Sequence, residues 1–253
     1  MLKVRPLVES INKSGIDRGN LFITLSIYSD EVQNTNDIKL QLERFLNLIG
    51  SDYVDSIQFP IELIQKISLE KIKNFTKQLL QEGKTRFTSL TNANLELLKQ
   101  YHSIFGDKLF AHDLAYNFEI RENERFGITK YAKDYGILNI VYQPLRRNRT
   151  ASRNWPLLVE LSQKYQKTQN QIILNWIVSK GFLPLIKSTN QSHIKENLES
   201  FDFTIETKDL ERLNNFEIAG YKAPKIDWDC SGNGVTIDQL PNMFDTIYSS
   251  NNT

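Results

Sequence analysis

The chain has 253 residues, of which 40% are hydrophobic and 24% are charged. This composition is typical of a globular protein, and the length suits one α/β-barrel domain or two smaller domains. Lysine and arginine together number 31 against 30 acidic residues, which gives a net charge of +1. This near-zero net charge gives no indication of a nucleic-acid partner.

Cysteine content and hydropathy predict where the protein works. Cys230 is the single cysteine of the sequence, so an intrachain disulfide is excluded and a reducing compartment is favoured. No stretch approaches the roughly 20 apolar residues that a membrane span needs, and no apolar run of signal-peptide length opens the sequence. We therefore expect a cytoplasmic protein with no membrane partner.

Short apolar runs separated by amphipathic stretches predict an α/β fold. Six runs have the length and composition of β-strands: Leu21–Ile27, Asp55–Phe59, Arg86–Leu90, Leu109–Leu114, Leu138–Gln143 and Phe182–Ile186. Apolar residues recur at helical spacing between them, for example from Ile38 to Ile49 and from Leu69 to Leu80. Gly83 and Gly136 stand where glycines end a helix before the next strand. This alternation predicts parallel βαβ units, with about six strands where a closed (β/α)8 barrel has eight.

The most informative segment runs from Leu183 to Leu198. An apolar strand ends at Ile186 and a helix begins near Gln191, so Lys187 stands at the carboxyl end of the strand. The free N–H groups and positive dipole end of a helix suit a phosphate, and the carboxyl ends of barrel strands form the functional face. The residues alone leave two interpretations equally open, namely an anion site or a capped loop before a solvated helix.

This segment resembles the phosphate-tail site of the aldo-keto reductases. In that family a Lys-Ser pair ends the last barrel strand, and a Glu-Asn pair follows on the next helix. Lys187 and Ser188 match the first pair, and Glu196 and Asn197 match the second. The resemblance implies that Lys187 and Ser188 hold the adenosine 2′-phosphate of NADP(H), while Glu196 and Asn197 contact the adenine.

Two further residues belong to the same candidate cofactor site. Thr189 continues the polar junction between strand and helix, and His193 stands where the family has an arginine. A neutral imidazole is a weaker phosphate partner than a guanidinium group. We therefore expect NADP(H) binding that is weakened relative to the family.

A second resemblance lies at Tyr142-Gln143-Pro144-Leu145, which is similar to the family's Tyr-Ser-Pro-Leu after its seventh strand. It implies that the Tyr142 ring stacks on the nicotinamide and that Gln143 and Leu145 belong to the loop around the pyrophosphate. Judged by its residues alone, Tyr142 is more simply a buried core aromatic. Three arginines add positive charge beside this loop: Arg146, Arg147 and Arg149.

The residues that correspond to the family's nicotinamide site differ from the family pattern. The family's Gly-Val-Ser-Asn-Phe corresponds to residues 89–93, which implies that Thr91 and Asn92 hydrogen-bond the carboxamide. The family's Asn-Gln corresponds to His112-Asp113, so a carboxylate replaces an amide. Because adjacent strand residues face opposite sides, His112 and Asp113 are not a catalytic dyad. We assign no metal ligands, since three histidines and one cysteine show no metal-ligand spacing.

The catalytic residues of the family are not found at their expected positions. The family uses Asp, Tyr, Lys and His, with the Tyr giving a proton to the substrate carbonyl while the nicotinamide gives a hydride. The Asp and Tyr belong to the first two βα units, and this chain resembles the family from the second helix and third strand onwards, at Val4–Ile27. Ser26 takes the place of the Lys, and Gln58, or no residue, takes the place of the His. We therefore assign no catalytic residue.

The resemblance runs from about Val8 to about Phe216. It implies a single domain over 1–253, an α/β fold of the (β/α)8 TIM-barrel type that lacks the first two βα units. The barrel would span about 4–218, and residues 219–253 would form a C-terminal arm.

Three functional hypotheses follow. The first is an NADP(H)-binding aldo-keto reductase homologue whose activity on aldehydes and ketones is impaired or lost, with a small-molecule carbonyl substrate if it is active. The second is a non-enzymatic interaction or regulatory protein that uses the incomplete barrel as a scaffold and need not bind NADPH. The third is an active reductase with a rebuilt site, in which Asp113, Gln58 or a tail residue supplies the proton. We also expect the open barrel edges to be covered by the N-terminal segment Met1–Asn12, by the tail Ala219–Tyr248 or by a second chain, and we favour a homo-oligomer.

Overall fold

The structure is a computed structural model, and it describes residues 5–217. The strands in this range are β1 (Thr24–Ser26), β2 (Val54–Pro60), β3 (Thr85–Thr91), β4 (Leu109–Ala115), β5 (Leu138–Tyr142) and β6 (Leu183–Pro184). The α-helices are α1 (Arg5–Ser14), α2 (Thr35–Ile49), α3 (Ile61–Ile67), α4 (Leu69–Gln81), α5 (Leu95–Phe105), α6 (Glu122–Arg125), α7 (Ile128–Asp134), α8 (Arg149–Ser152), α9 (Pro156–Tyr165), α10 (Gln169–Ser179), α11 (Gln191–Leu198) and α12 (Thr207–Asn214). Short 3-10 helices lie at Arg18–Asn20, Ser29–Glu31, Gly106–Lys108, Arg146–Asn148 and Glu199–Phe201.

All six predicted strands are confirmed, and their order in the sheet follows their order in the chain. The first and last strands are shorter than their apolar runs, with three residues in β1 and two in β6. Both are end strands of the described sheet, so each has one neighbouring strand to pair with. A central strand forms backbone hydrogen bonds with a neighbour on each side, whereas β1 and β6 form them on one side within the described sheet. Fewer residues are therefore held in regular strand conformation.

Local signals in the sequence explain where the helices begin and end. Asn34 caps α2 by accepting a hydrogen bond from the Asn36 amide, and the Asp37 carboxylate accepts from the Asn34 amide. Thr168 and Gln171 form the same reciprocal arrangement at the start of α10. After α4, Gly83 adopts a φ of 67°, a left-handed conformation that glycine takes without steric cost.

The described residues divide into two compact units, and the boundary lies within β4, between His112 and Asp113. In the first unit, β1, β2 and β3 pair in parallel, with Ser26 opposite Gln58 and Gln58 opposite Ser89. The buried Asp55 carboxylate receives Arg18 and Arg86 from outside its strand, each at 2.8 Å. These ion pairs tie the beginning of β1 to β2 and β3.

In the second unit, β5 and β6 pair in parallel and their helices enclose an apolar core. Its buried members include Val141, Leu158, Leu161, Ile172, Ile173, Trp176, Ile177, Phe182, Ile205 and Leu213. The Trp176 ring stacks on Tyr116 at 5.6 Å, and the Trp176 indole N–H donates to Asn214 at the end of α12. The prediction of a single domain over 1–253 stays a prediction, and the arm at 219–253 lies outside the described residues.

Among the described residues, no helix combines the length and the apolarity that crossing a bilayer requires.

Candidate functional site

The second unit contains an open cleft of about 840 Å³ on the side where β5 and β6 end. Its walls come from the segment after β5, the start of α10, the segment after β6 and the first turns of α11. The lining residues are Gln143, Pro144, Leu145, Arg146, Arg147, Asn148, Ala151, Ser162, Thr168, Gln169, Asn170, Leu185, Ile186, Lys187, Ser188, His193, Glu196 and Asn197. The carboxyl ends of parallel strands are the usual location of ligand sites in α/β folds.

One wall of the cleft, residues 143–148, has an unusual backbone. Gln143, Arg146, Arg147 and Asn148 all have φ between 48° and 71°, although none is a glycine. Residues other than glycine adopt this left-handed region at an energetic cost, and such residues concentrate at functional sites. The conformation persists because side chains outside the wall hold it in place.

Glu119 is the main residue that holds this wall. Its buried carboxylate forms an ion pair with the buried Arg146, receives Arg153 at 2.6 Å and accepts from the Trp155 indole N–H at 3.0 Å. Three residues of the 146–155 segment therefore converge on one carboxylate from the loop after β4. Arg146 lines the cleft, but its buried guanidinium is engaged in the pair with Glu119.

The three arginines expected to add positive charge thus have three different environments. Arg146 is 2% exposed and paired with Glu119, whereas Arg147 is exposed and lines the cleft. Arg149 is also exposed but does not line the cleft. The sequence alone could not show which of the three arginines is buried. In this left-handed segment the side-chain directions follow neither the helix nor the strand period.

The opposite wall carries the polar residues predicted from the segment after β6. Lys187 and Ser188 follow β6, and the Ser188 hydroxyl oxygen accepts from the Asn190 amide at 3.1 Å. Asn190 caps α11 by accepting from the Ser192 amide at 2.9 Å. His193 lies in the first turn of this helix and lines the cleft.

Glu196 and Asn197 lie one turn further along α11 and also line the cleft. The Glu196 carboxylate accepts from the Thr168 hydroxyl at 2.5 Å, and the Glu196 backbone carbonyl accepts from the Gln171 side chain at 3.0 Å. Both partners belong to the cap of α10, so Glu196 joins α11 to α10 and is fixed at the rim of the cleft.

Of the eleven predicted cofactor-binding residues, seven come together in this cleft: Gln143, Leu145, Lys187, Ser188, His193, Glu196 and Asn197. Tyr142 is the last residue of β5, half-buried and next to the cleft residue Gln143, and the exposed Thr189 follows Ser188. Neither Tyr142 nor Thr189 lines the cleft. Thr91 and Asn92 belong to the first unit, at the end of β3.

The cleft presents side chains that have no partner among residues 5–217. Lys187, His193, Asn197 and Arg147 make no side-chain hydrogen bond or ion pair with any described residue. In the first unit, the buried hydroxyl oxygen of Thr91 also lacks a hydrogen-bond partner within the described range. Two cations, an imidazole and an amide are a donor set that suits a phosphorylated ligand with a nucleobase, so the residues fit NADP(H).

The positions that resemble the catalytic Lys and His are neighbours in the first unit. Ser26 on β1 lies directly opposite Gln58 on β2 in the parallel register. Gln58 is 5% exposed, and the next polar pair along, Ser56 and Ser89, is joined by a hydroxyl–hydroxyl hydrogen bond of 2.8 Å. The interior of these strands therefore carries neutral polar groups at this level.

His112 on β4 is fully buried in the first unit. Its Nε2 accepts from the Ala93 backbone amide at 3.0 Å, so the proton of the neutral ring is on Nδ1. Burial disfavours the imidazolium and lowers the pKa of His112 to about 3. The imidazole is therefore neutral at physiological pH and positions the segment after β3 instead of acting as an acid.

The sequence reasoning missed one structural residue of the site, Glu119, and did not distinguish one cation, Arg147. Glu119 lies in an irregular loop, between two segments that resemble the family, and no periodicity marks its burial. An acidic residue in a loop far from an arginine cluster gives no local sign that the two pair.

Comparisons with known proteins show the family and the fold of this chain. The model of the aldo/keto reductase family matches residues 7–218. The chain is 26% identical to the uncharacterized oxidoreductase YtbE of Bacillus subtilis over 208 residues, covering 81% of this chain and 71% of that protein. It is 29% identical to the NADPH-dependent alpha-keto amide reductase of Saccharomyces cerevisiae over 204 residues, covering 76% of this chain and 65% of that protein, slightly less than two thirds of its length.

A solved structure gives the same result for the fold. The crystal structure of the silkworm (Bombyx mori) aldo-keto reductase AKR2E5 complexed with NADPH superimposes with a TM-score of 0.72 at 21% identity, covering 87% of this chain and 71% of that one. Six parallel strands in chain order and this likeness confirm an incomplete (β/α)8 barrel. Since the family model covers most of the chain and the fold agrees, the chain belongs to the aldo/keto reductase family.

Proposed function

We propose that this protein binds NADP(H) in the cleft of its second unit and that its reduction of aldehydes and ketones is impaired or lost. The observation that carries the proposal is the convergence of two segments about forty residues apart in the sequence. Residues 143–145 and residues 187–197 resemble two parts of one cofactor site, and they line the same cleft. Segments that matched the family only by chance would have no reason to meet.

The cleft residues suggest how the adenosine half of the cofactor is held. Lys187 and Ser188 supply an ammonium and a hydroxyl for the 2′-phosphate, and His193 adds a ring N–H from the first turn of α11. The Asn197 side chain, which has no partner among the described residues, supplies an amide for the adenine, while Glu196 is partly committed to Thr168. When bound, the nicotinamide of NADPH supplies a hydride.

Impaired chemistry is supported by the pair Ser26 and Gln58. A reductase of this kind needs a proton donor whose pKa is adjusted by a neighbouring cation, and the resemblance places that cation at Ser26. A serine hydroxyl and a glutamine amide carry no charge near neutral pH, so this pair cannot lower the pKa of a nearby hydroxyl as an ammonium does. As hydrogen-bond donors, Ser26 and Gln58 could still orient a substrate carbonyl, but neither side chain transfers a proton readily.

The test separates binding from turnover. We expect NADPH to quench the intrinsic fluorescence of the protein or to acquire a shifted emission on binding, with NADH binding more weakly. Oxidation of NADPH in the presence of aromatic aldehydes should stay near background in the same preparation. Binding without turnover supports the proposal, whereas ordinary turnover contradicts its second half.

The competing hypothesis is a non-enzymatic scaffold or regulatory protein, and NADPH binding distinguishes the two. The side chains of Lys187, His193 and Asn197 line one cleft and have no partner within the described range 5–217, which favours ligand binding over a purely structural use of this face. The proposal includes a cytoplasmic location, supported by the single cysteine, a small-molecule carbonyl substrate if any activity remains, and self-association through the end strands β1 and β6.

A further inference from the structure

An exposed serine, Ser152, ends an arginine-rich segment beside the cleft. Residues 143–155 contain four arginines and no acidic residue. Ser152 is the last residue of α8, and Arg149 and Arg147 stand three and five positions before it in the sequence. Arginines at such positions ahead of a hydroxyl residue form the charge pattern that protein kinases with an acidic substrate groove recognise.

The structure distinguishes Ser152 from the other hydroxyl residues that have this spacing. Three serines or threonines of the sequence follow an arginine by three positions, namely Ser89, Thr150 and Ser152. Ser89 is 1% exposed and its hydroxyl is hydrogen-bonded to that of Ser56, while Thr150 is fully buried. Ser152 is exposed. Of the three hydroxyl groups, the one on Ser152 is therefore the one that an enzyme can reach.

The segment before Ser152 can also present its arginines to a partner. Arg147 and Arg149 are exposed, whereas Arg146 is buried in its pair with Glu119. The helix α8 has only four residues, so its hydrogen bonds open at little cost and the segment can become extended, as binding in a kinase groove requires. Glu119 pairs with Arg146 on one flank and with Arg153 on the other, which confines the opening to the residues between them.

A phosphate on Ser152 would act on the wall of the cleft. The Ser152 hydroxyl donates to the Asn148 carbonyl at 2.8 Å, and the Asn148 side chain accepts from Asn170 of α10 at 2.9 Å. Phosphorylation removes the donated proton and adds about −1.5 to −2 charges. Ala151 lines the cleft, so this negative charge would lie on the residue next to the cleft. Both changes disfavour a phosphorylated ligand there.

We propose that Ser152 is the acceptor site of a protein kinase that recognises arginine, and that its phosphate weakens ligand binding in the cleft. In the transfer, the Ser152 Oγ attacks the γ-phosphorus of ATP and the bond from this phosphorus to the β,γ-bridging oxygen breaks. ADP leaves, and the hydroxyl proton passes to a base of the kinase. The second half of the proposal rests on the proposed function for the identity of the ligand, whereas the acceptor site does not depend on it.

The experiment treats the full-length protein with Mg²⁺-ATP and the catalytic subunit of cyclic-AMP-dependent protein kinase, followed by intact mass and peptide mapping. Wild type is compared with Ser152→Ala, with Arg149→Gln and with the control Ser103→Ala, which removes an exposed serine that has no arginine among the six residues before it. Thermal melts confirm that the variants are folded. We expect one phosphate on wild type and on Ser103→Ala and none on Ser152→Ala. The initial rate should fall about tenfold or more in Arg149→Gln, because a charge-assisted contact is lost.

An unmodified wild type would overturn the acceptor site, as would a phosphate that is mapped to Thr150 or that persists in Ser152→Ala. NADPH is then titrated into each protein before and after kinase treatment. Treatment should weaken binding to wild type about tenfold and leave the affinity of Ser152→Ala unchanged. Equal affinity of phosphorylated and unmodified wild type would overturn the second half of the proposal. If unmodified wild type binds no NADPH, the second half fails together with the proposed function, while the mass spectra still decide the acceptor site.

Discussion

Ser26 on β1 lies directly opposite Gln58 on β2, so two neutral side chains are neighbours at the level where the family resemblance places a lysine and a histidine. The register matters because two substitutions inferred separately from sequence turn out to be adjacent in space. Neither of these two side chains is a cation that could favour the ionised form of a hydroxyl.

The first prediction follows from this pair. Reduction of aromatic aldehydes should remain near background, because removing one acid–base group typically costs about 10²–10⁴-fold in rate. The measurement is the loss of NADPH absorbance with a panel of aldehydes and ketones at saturating cofactor. A turnover of about 1 per second, ordinary for an enzyme, would show that a different group supplies the proton.

The second prediction concerns His112 and pH. Burial lowers the pKa of His112 in the folded protein to about 3, whereas an ordinary imidazole in the unfolded chain has a pKa near 6.5. As the pH falls, the unfolded chain therefore takes up a proton at a higher pH than the folded protein does. The stability contributed by the neutral form is therefore present above about pH 6.5 and is lost as the pH falls below it. The expected loss between pH 7.5 and pH 5 is about 2 kcal/mol, from one proton taken up only on unfolding.

Urea unfolding of wild type and His112→Gln at both pH values tests this prediction. The variant should lose most of the difference between the two pH values, although it is less stable overall. The control is Ser103→Ala, at an exposed position without a titrating side chain, and it should keep the wild-type dependence on pH. An unchanged dependence in His112→Gln would mean that another group controls acid stability.

The third prediction concerns Glu119. Replacing it by glutamine removes the carboxylate that pairs with the buried Arg146, and the loss of one partner of a buried pair typically costs about 3–5 kcal/mol. Equilibrium denaturation measures the difference. Glu43→Gln removes an exposed partner of Lys39 and should stay close to wild type. Equal stability of the two variants would show that the 146–155 segment does not depend on Glu119.

Much of the fold could be predicted from the sequence, and the reason is periodicity. The apolar runs and helical spacings predict β2 to β5 and α4 to within one residue at each end, and α2 to within three. That Lys187, Ser188, Glu196 and Asn197 come together could also be predicted, because they follow one another on one strand end and one helix. Their role in cofactor binding stays a prediction.

The remainder of the site depends on long-range pairing, which leaves no local pattern. Glu119 and Arg146 are 27 residues apart, and the left-handed wall at 146–148 has no glycine to mark it. The length of β1 depends on how many neighbouring strands it has, which its own apolar run does not report. Loop conformation and ion pairing of this kind are decided by tertiary structure.

The fourth prediction concerns the end strands of the described sheet. β1 and β6 each pair with one strand, and exposed apolar side chains accompany them, with Phe22 47% and Leu185 49% exposed. Unpaired backbone groups in apolar surroundings each cost on the order of 1–3 kcal/mol, so we expect a dimer or larger assembly that covers them. Light scattering at micromolar concentration measures the mass. A monodisperse monomer with a single cooperative melt would contradict the prediction.

The most direct test of NADP(H) binding in this cleft is a titration of wild type and Lys187→Met with NADPH and NADH. Wild type should bind NADPH more tightly than NADH, and Lys187→Met should lose most of that preference, because a charge-assisted contact contributes about 1.5–3 kcal/mol, or roughly ten- to a hundredfold in affinity. Affinity for NADH should change much less in the variant. Equal wild-type affinity for both cofactors, or no binding of either at millimolar concentration, would contradict the account.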